Sequence, residues 1–250
     1  MSSAVSLIGR VTRAWRRLSF GQFCRLVAYN INLIATGKYG EYAHPYDDSF
    51  DRKFNVETRG TEAVEELSAD ETLTRHGRRY EAVTTKQMSV LMSKLPALDF
   101  SKFTFVDLGS GKGRALFIAA HYPFKRIIGV EYGRELNDLA IRNIKTYRNP
   151  AQRCFNIESL CANASAYEFP SGPTICFMNN PFDEVLMQKL MDGLTEALKK
   201  APRDFFIVYL HANHPGTVNR HGQWELLHSS VILPRSPYAI WRWKRLADED

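Results

Sequence analysis

Ten residues limit what this chain can fold into more than any others: Phe105-Val106-Asp107-Leu108-Gly109-Ser110-Gly111-Lys112-Gly113-Arg114. A β-forming run ends in an acid, three glycines follow at alternate positions, and an apolar helical pattern begins at once. Glycines are needed where a backbone turns sharply from strand to helix and where a ligand comes too close for a Cβ. The spacing excludes two ligand classes. A G-x-x-x-x-G-K-[ST] phosphate loop fails, because Lys112 is followed by Gly113 and the residue five before Gly111 is Val106. The dinucleotide fingerprint G-x-G-x-x-G fails too, reaching Arg114 when started from Gly109 and Leu116 when started from Gly111.

From Tyr80 onward, short β-rich runs alternate with helical ones, the pattern of a parallel sheet with crossover helices. Strands are expected at 103–108, 126–131, 154–158, 174–178 and 204–210, and helices at 85–95, 113–122, 134–147 and 184–200. After His211 the alternation stops. Trp224–Leu233 and Tyr238–Arg245, separated by Pro234-Arg235-Ser236-Pro237, read as an antiparallel pair at one sheet edge. The expected fold is therefore α/β and Rossmann-like, mostly parallel, in one domain over residues 80–250. No internal repeat is seen.

Residues 1–79 read as an extension. Leu7, Ile8, Val11, Trp15 and Leu18 share a helical face over 5–18, with Arg10, Arg13, Arg16 and Arg17 between them. A second helix is expected from Gln22 to about Ala35, and Glu41–Arg79 reads as a connector or lid, mostly loop with a short helix near 61–67. The two helices suit a cap on the body, a peripheral membrane contact through residues 5–35, or an organellar targeting sequence. The net charge of +6 lies wholly here: residues 1–38 hold six basic and no acidic residues, leaving 27 basic against 27 acidic elsewhere. A neutral body disfavours a nucleic-acid partner. Cys24, Cys154, Cys161 and Cys176 form no metal-binding or disulfide pattern, and no run of 18 apolar residues exists, so a cytoplasmic protein without a metal is expected.

The remaining form, D-x-G-x-G-x-G at Asp107–Gly113, resembles motif I of class I S-adenosyl-L-methionine (SAM)-dependent methyltransferases. The D-L-G-S-G-K-G version is similar to Dot1-type lysine methyltransferases and to bacterial methyltransferases of unassigned substrate. The resemblance covers about 80–182. It implies SAM as cofactor and S-adenosyl-L-homocysteine as product, held by Asp107, Gly109, Ser110, Gly111 and Gly113. Glu131 ends the next strand 18 residues after Gly113, where such a fold puts a carboxylate against ribose hydroxyls. Asn163, in Cys161-Ala162-Asn163-Ala164, stands where the resembling families carry an acid that accepts from the adenine amino group; an amide oxygen can accept the same bond. Tyr80, Glu81 and Thr84 look like the loop over the methionine end, with helix capping the first role for Thr84.

Asn179-Asn180-Pro181-Phe182 resembles the [DN]-P-P-[YF] motif of N-methyltransferases and the N-N-F segment of the Dot1 group. Asn179 and Asn180 would accept an amine's hydrogens and aim its lone pair, with Phe182 flanking the incoming group. His211 and His214, after the fifth strand, are candidate proton acceptors, since imidazole titrates near neutrality; Tyr209 is a candidate pocket wall. The expected activity is methyl transfer to an amine-bearing acceptor, protein lysine first and a small molecule next. O-methylation and a non-catalytic SAM-binding or membrane-docked module are the alternatives.

Overall fold

A computed structural model describes residues 48–59, 82–232 and 235–244 of the 250. By internal packing the chain divides into residues 46–229 with 238–250, which hold the whole candidate site, and residues 1–45 with 230–237. The expected helices over 5–18, 22–35 and 61–67 lie outside the described residues, as do Tyr80 and Glu81.

In chain order the elements are α1 (Asp48–Phe54), α2 (Thr85–Met92), β1 (Thr104–Leu108), α3 (Arg114–Ala119), β2 (Arg126–Glu131), α4 (Arg134–Thr146), β3 (Ile157–Cys161), β4 (Thr174–Asn179), α5 (Glu184–Lys200), β5 (Phe205–Leu210), α6 (Pro215–Asn219), β6 (Trp224–Ile232) and β7 (Ser236–Trp243). The sheet runs β3-β2-β1-β4-β5-β7-β6. The strands from β3 to β5 are parallel, and β7 returns antiparallel to β5, leaving β6 at the edge.

β1 and β5 are buried at every position, as central strands covered on both faces are, β5 through an unbroken apolar run and β1 with Thr104 and Asp107 among its apolar residues. Alternate side chains divide between two layers. Val106, Ile128, Cys176 and Ile207 join a cluster with Met187, Leu190 and Leu194 of α5. Phe105 faces the other layer, against Phe124 (ring centroids 5.3 Å) and Phe177 (6.0 Å). Among the described residues, no helix is long and apolar enough to cross a membrane.

The differences from the sequence pattern have local causes. β3 starts at Ile157 rather than 154, because Arg153 and Cys154 give their amides to the Ala120 carbonyl and the strand pairs only level with β2, Ile127 with Ile157 through Glu131 with Cys161. β7 occupies 236–243 rather than 238–245. The helix expected from 113 begins at Arg114, since Gly113 sits at φ +90°.

The larger correction concerns the stretch read as loop. Residues 48–54 are helical, Asn55 closes the helix at φ 54°, and the turn that follows is bonded into the domain. The Asp51 carboxylate accepts from Thr58 N (2.8 Å), Thr58 Oγ1 (2.6 Å), Arg59 N (2.9 Å) and Arg114 Nη2 (3.0 Å). Asn143 of α4 pairs with both backbone groups of Glu57, at 2.9 Å each, and Lys112 Nζ donates to the Arg59 carbonyl (2.9 Å). This segment therefore clasps the glycine turn from outside. Asp51→Ala strands the buried Arg114 charge and is expected to cost about 3–5 kcal/mol, read as a lower urea midpoint; an unchanged midpoint would show that the pair contributes nothing to stability.

Candidate functional site

Every candidate on the sheet falls at the carboxyl edge because the strands are in register there. Asp107 of β1 lies level with Gly129 of β2 and Phe177 of β4, and Asn179 lies level with Leu210 of β5. The strand order reverses between β1 and β4, where open α/β sheets bind ligands.

The turn at 109–113 depends on glycine for two separate reasons. Gly109, Gly111 and Gly113 have φ of +76°, +52° and +90°, a region that side chains resist. A Cβ on Gly109 would also lie 2.7 Å from Pro181 Cβ, so the β4 tip crosses directly over the turn. Glu131 holds the turn from the other side: Oε2 accepts from Gly111 N and Oε1 from Gly133 N, both at 2.8 Å. Its carboxylate is buried and pulled in opposite directions, burial raising its pKa and the Gly133 and Gly111 amides lowering it, with burial stronger. The hydroxyl contact expected of Glu131 would have to use its second lone pairs.

Asp107 is different. It is buried, and among the described residues nothing donates to its side chain. Burial first, and the nearby Glu131 second, push its pKa well above the usual carboxylate range. Together with Ser110, Arg114, Phe177, Asn179 and Val83 it lines a cleft beside the N-terminus of α2. The Ser110 hydroxyl is turned onto Gly129, where a Cβ would meet it at 2.6 Å, and it has no hydrogen-bond partner.

The tips of β4 and β5 are joined. His211 Nδ1 lies 2.7 Å from Asn179 Oδ1, and Tyr209 Oη donates to Asn180 Oδ1 at 3.1 Å. An amide oxygen only accepts, so His211 carries a hydrogen on Nδ1. Asn180 (φ 48°) and His211 (φ 50°) are two of the three described non-glycine residues at positive φ. Such strain, of the order of 1–3 kcal/mol per residue, persists where surroundings impose it and gathers at functional sites.

Elsewhere the side chains take other partners than the sequence suggests. Thr84 caps α2, its Oγ1 accepting from Gln87 N (3.2 Å) while Gln87 Oε1 accepts from Thr84 N (2.8 Å), which is the first role expected of it. The Asn163 oxygen accepts from Ser165 N (3.0 Å) and Ser165 Oγ (2.9 Å), so its acceptance capacity is spent on a short 3-10 turn. Phe182 is buried in the α5 core, so the aromatic beside the cleft is Phe177 instead. His214 caps α6 through its carbonyl, which accepts from Thr217 Oγ1 at 2.7 Å. Sequence reasoning misses Arg114, Lys112 and Asp51. One signal for Arg114 is present in the sequence: it is the charged residue opening an otherwise apolar helix.

No protein family's sequence profile matches the chain, and no curated protein matches it. Solved structures do. A putative methyltransferase, yhhF, from Escherichia coli is 17% identical over 68% of this chain and 93% of that one, with a TM-score of 0.50. An RNA methyltransferase from Salinibacter ruber, solved with S-adenosyl-L-homocysteine, is 20% identical over 65% of this chain and 95% of its own, with a TM-score of 0.44. A ribosomal protein L11 methylase from Lactobacillus delbrueckii is 12% identical over 71% and 84%, with a TM-score of 0.48. The fold is the Rossmann-like one of class I methyltransferases.

Burial of Asp107 ties stability to pH. A carboxyl whose folded pKa lies above its unfolded value stabilises the fold below the ordinary carboxylate range and loses that contribution as pH rises through the folded pKa. Asp107→Asn should therefore gain stability over the wild type as pH rises from about 4 to about 8 in urea unfolding. A difference that does not vary with pH would mean that the fold satisfies the ionised form.

Proposed function

We propose that the chain is a SAM-dependent methyltransferase acting on an amine nitrogen. The observation that carries this reading is Asp107: a buried carboxylate without donors, on the rim of a turn whose glycines clear a cradle, suits a ligand bearing a positive charge. S-adenosyl-L-methionine has such a charge and, when bound, supplies a methyl group on sulfonium sulfur, leaving as S-adenosyl-L-homocysteine.

The chain's own residues would divide the work. Gly109, Gly111 and Gly113 hold the turn open, and Asp107 receives the cationic amino end. Glu131, anchored by Gly111 and Gly133, turns its remaining lone pairs to the ribose hydroxyls. On the acceptor side, Asn179 fixes the orientation of the His211 imidazole through Nδ1, which makes that ring the candidate to take a proton from an incoming ammonium. The main-chain carbonyl of Asn180, set by its left-handed backbone, is a second acceptor for the amine's hydrogens. Phe177 supplies an apolar wall.

Protein lysine is the acceptor we favour, on the likeness of Asp107–Gly113 and Asn179–Phe182 to lysine methyltransferases; a small-molecule amine is next. Calorimetric titration with S-adenosyl-L-homocysteine tests the cofactor: Asp107→Asn should weaken binding by roughly 10- to 100-fold, because a charge-assisted hydrogen bond becomes a neutral one. Equal binding by both forms, or preference for NAD or ATP, would overturn the reading. Methyl-labelled SAM incubated with a cell extract tests the acceptor: label should enter precipitable protein, and Asn179→Ala should reduce it by about tenfold or more. Label confined to small molecules would move the acceptor to metabolism.

A further inference from the structure

Phe54, the last residue of α1, anchors one end of the 48–59 segment on two polar rings. Its centroid stands 5.5 Å from that of Tyr147 and 6.3 Å, edge-on, from that of His121. Tyr147 in turn stacks on Phe117 of α3 at 4.6 Å. The two polar rings share a network with Asn149. Tyr147 Oη donates to the Phe117 carbonyl (3.1 Å) and lies 3.1 Å from His121 Nε2, while Asn149 Nδ2 donates to Tyr147 Oη (3.0 Å) and to His121 Nε2.

The Asn149 amide is held in this orientation, because its Oδ1 accepts from Ala151 N at 3.0 Å. An amide nitrogen only donates, so His121 Nε2 must offer a lone pair, and the ring is neutral with its hydrogen on Nδ1. Protonation would put a hydrogen on Nε2 facing Asn149 Nδ2, donor against donor, and one of the two groups would have to move.

The charge beside the ring opposes protonation as well. From α1 comes Lys53, whose Nζ stands 5.2 Å from the Phe54 centroid. After α4 come Tyr147, whose phenol pKa is raised by burial, and Arg148, whose guanidinium is taken up by the Lys145 and Tyr147 carbonyls. Arg153 and Cys154 meet the neighbouring Ala120 carbonyl through their amides. Among the described residues no carboxylate pairs with His121. Burial first and Lys53 second hold its pKa below the usual imidazole value. A group lowered in this way lends stability above its unfolded pKa and loses it as pH falls through the folded value.

We propose that His121 is a pH-sensitive latch on the 48–59 segment: the neutral ring seats Phe54, and the protonated ring loosens the segment's grip on the glycine turn. Glu57, Thr58 and Arg59, which carry that grip to Asn143, Arg114 and Lys112, follow Phe54 within five residues.

Hydrogen exchange of the full chain tests the latch at the amides of Glu57, Thr58 and Arg59, which are bonded to Asn143 and Asp51. Corrected for the intrinsic pH dependence of exchange, their protection relative to β5 amides should fall roughly 3- to 10-fold between about pH 7.5 and about pH 5.5. His121→Gln keeps an acceptor that does not titrate and should abolish the change. Asn149→Asp places a carboxylate against the ring and should reverse it, protection of the segment rising in acid.

Wild-type protection that does not move relative to β5 overturns the proposal. So does a pH dependence retained by His121→Gln, which would assign the change to another group such as Asp51. If His121→Gln does not fold, Asn149→Asp decides: loosening in acid, as in the wild type, overturns the latch. None of these readings involves a ligand, so their failure leaves the cofactor reading standing, and failure of the cofactor reading leaves the latch.

Discussion

The Asp107 carboxylate stands inside the sheet with Glu131 close by, and much of the surrounding architecture follows from tolerating two acids there. Glu131 is stabilised by two backbone amides, Gly111 and Gly133, which at the same time lock the glycine turn to the start of α4. Asp107 has no equivalent, and burial raises its pKa. A fold that could relax around such a group would do so. The turn cannot, because Pro181 lies over Gly109 and the Ser110 side chain sits on Gly129, so the carboxyl group stays in place for a ligand.

Rigidity on the outer side comes from a segment far away in sequence. Asp51, Glu57, Thr58 and Arg59 reach Arg114, Asn143 and Lys112 across separations of 53 to 86 residues. These bonds are buried or partly buried, where polar networks are strong if complete and expensive if broken. The clasp therefore couples the shape of the turn to a helix that is not part of the sheet, while β4 and β5 are tied at their tips by the Asn179–His211 and Asn180–Tyr209 pairs. Both flanks of the cleft are held by side chains and the centre by backbone.

Legibility followed the range of the interaction concerned. β1, β2, β4 and β5 fell within a residue of their expected bounds, and α5 matched at both ends, because unbroken apolar runs and a capped 3.6-residue stripe are local patterns. β3 was displaced by three residues, since an edge strand with mixed burial takes its register from its partner. Among site residues, the glycines were plain because a strand-turn-helix junction needs them whatever surrounds it. Phe182 was misplaced because the same aromatic can face a cleft or a core, and only the path of α5 chooses. Asn163 resembled a ligand residue, yet an asparagine at a turn has a nearer partner in Ser165.

What the sequence determined by itself was the order of the strands and of α2 to α5 between them, the glycine turn, and the gathering of Asp107, Glu131 and Asn179 at one edge, all consequences of residue spacing along single strands and their junctions. The tertiary structure alone decided which oxygens and nitrogens have partners. Glu131 is engaged by backbone and Asp107 is not, Arg114 is gripped on one side by residues more than fifty positions away, and His211 meets Asn179 across adjacent strand tips. The physical reason is that hydrogen bonding and desolvation depend on distances of about 3 Å between groups, and those distances exist only after chain segments remote in sequence have packed.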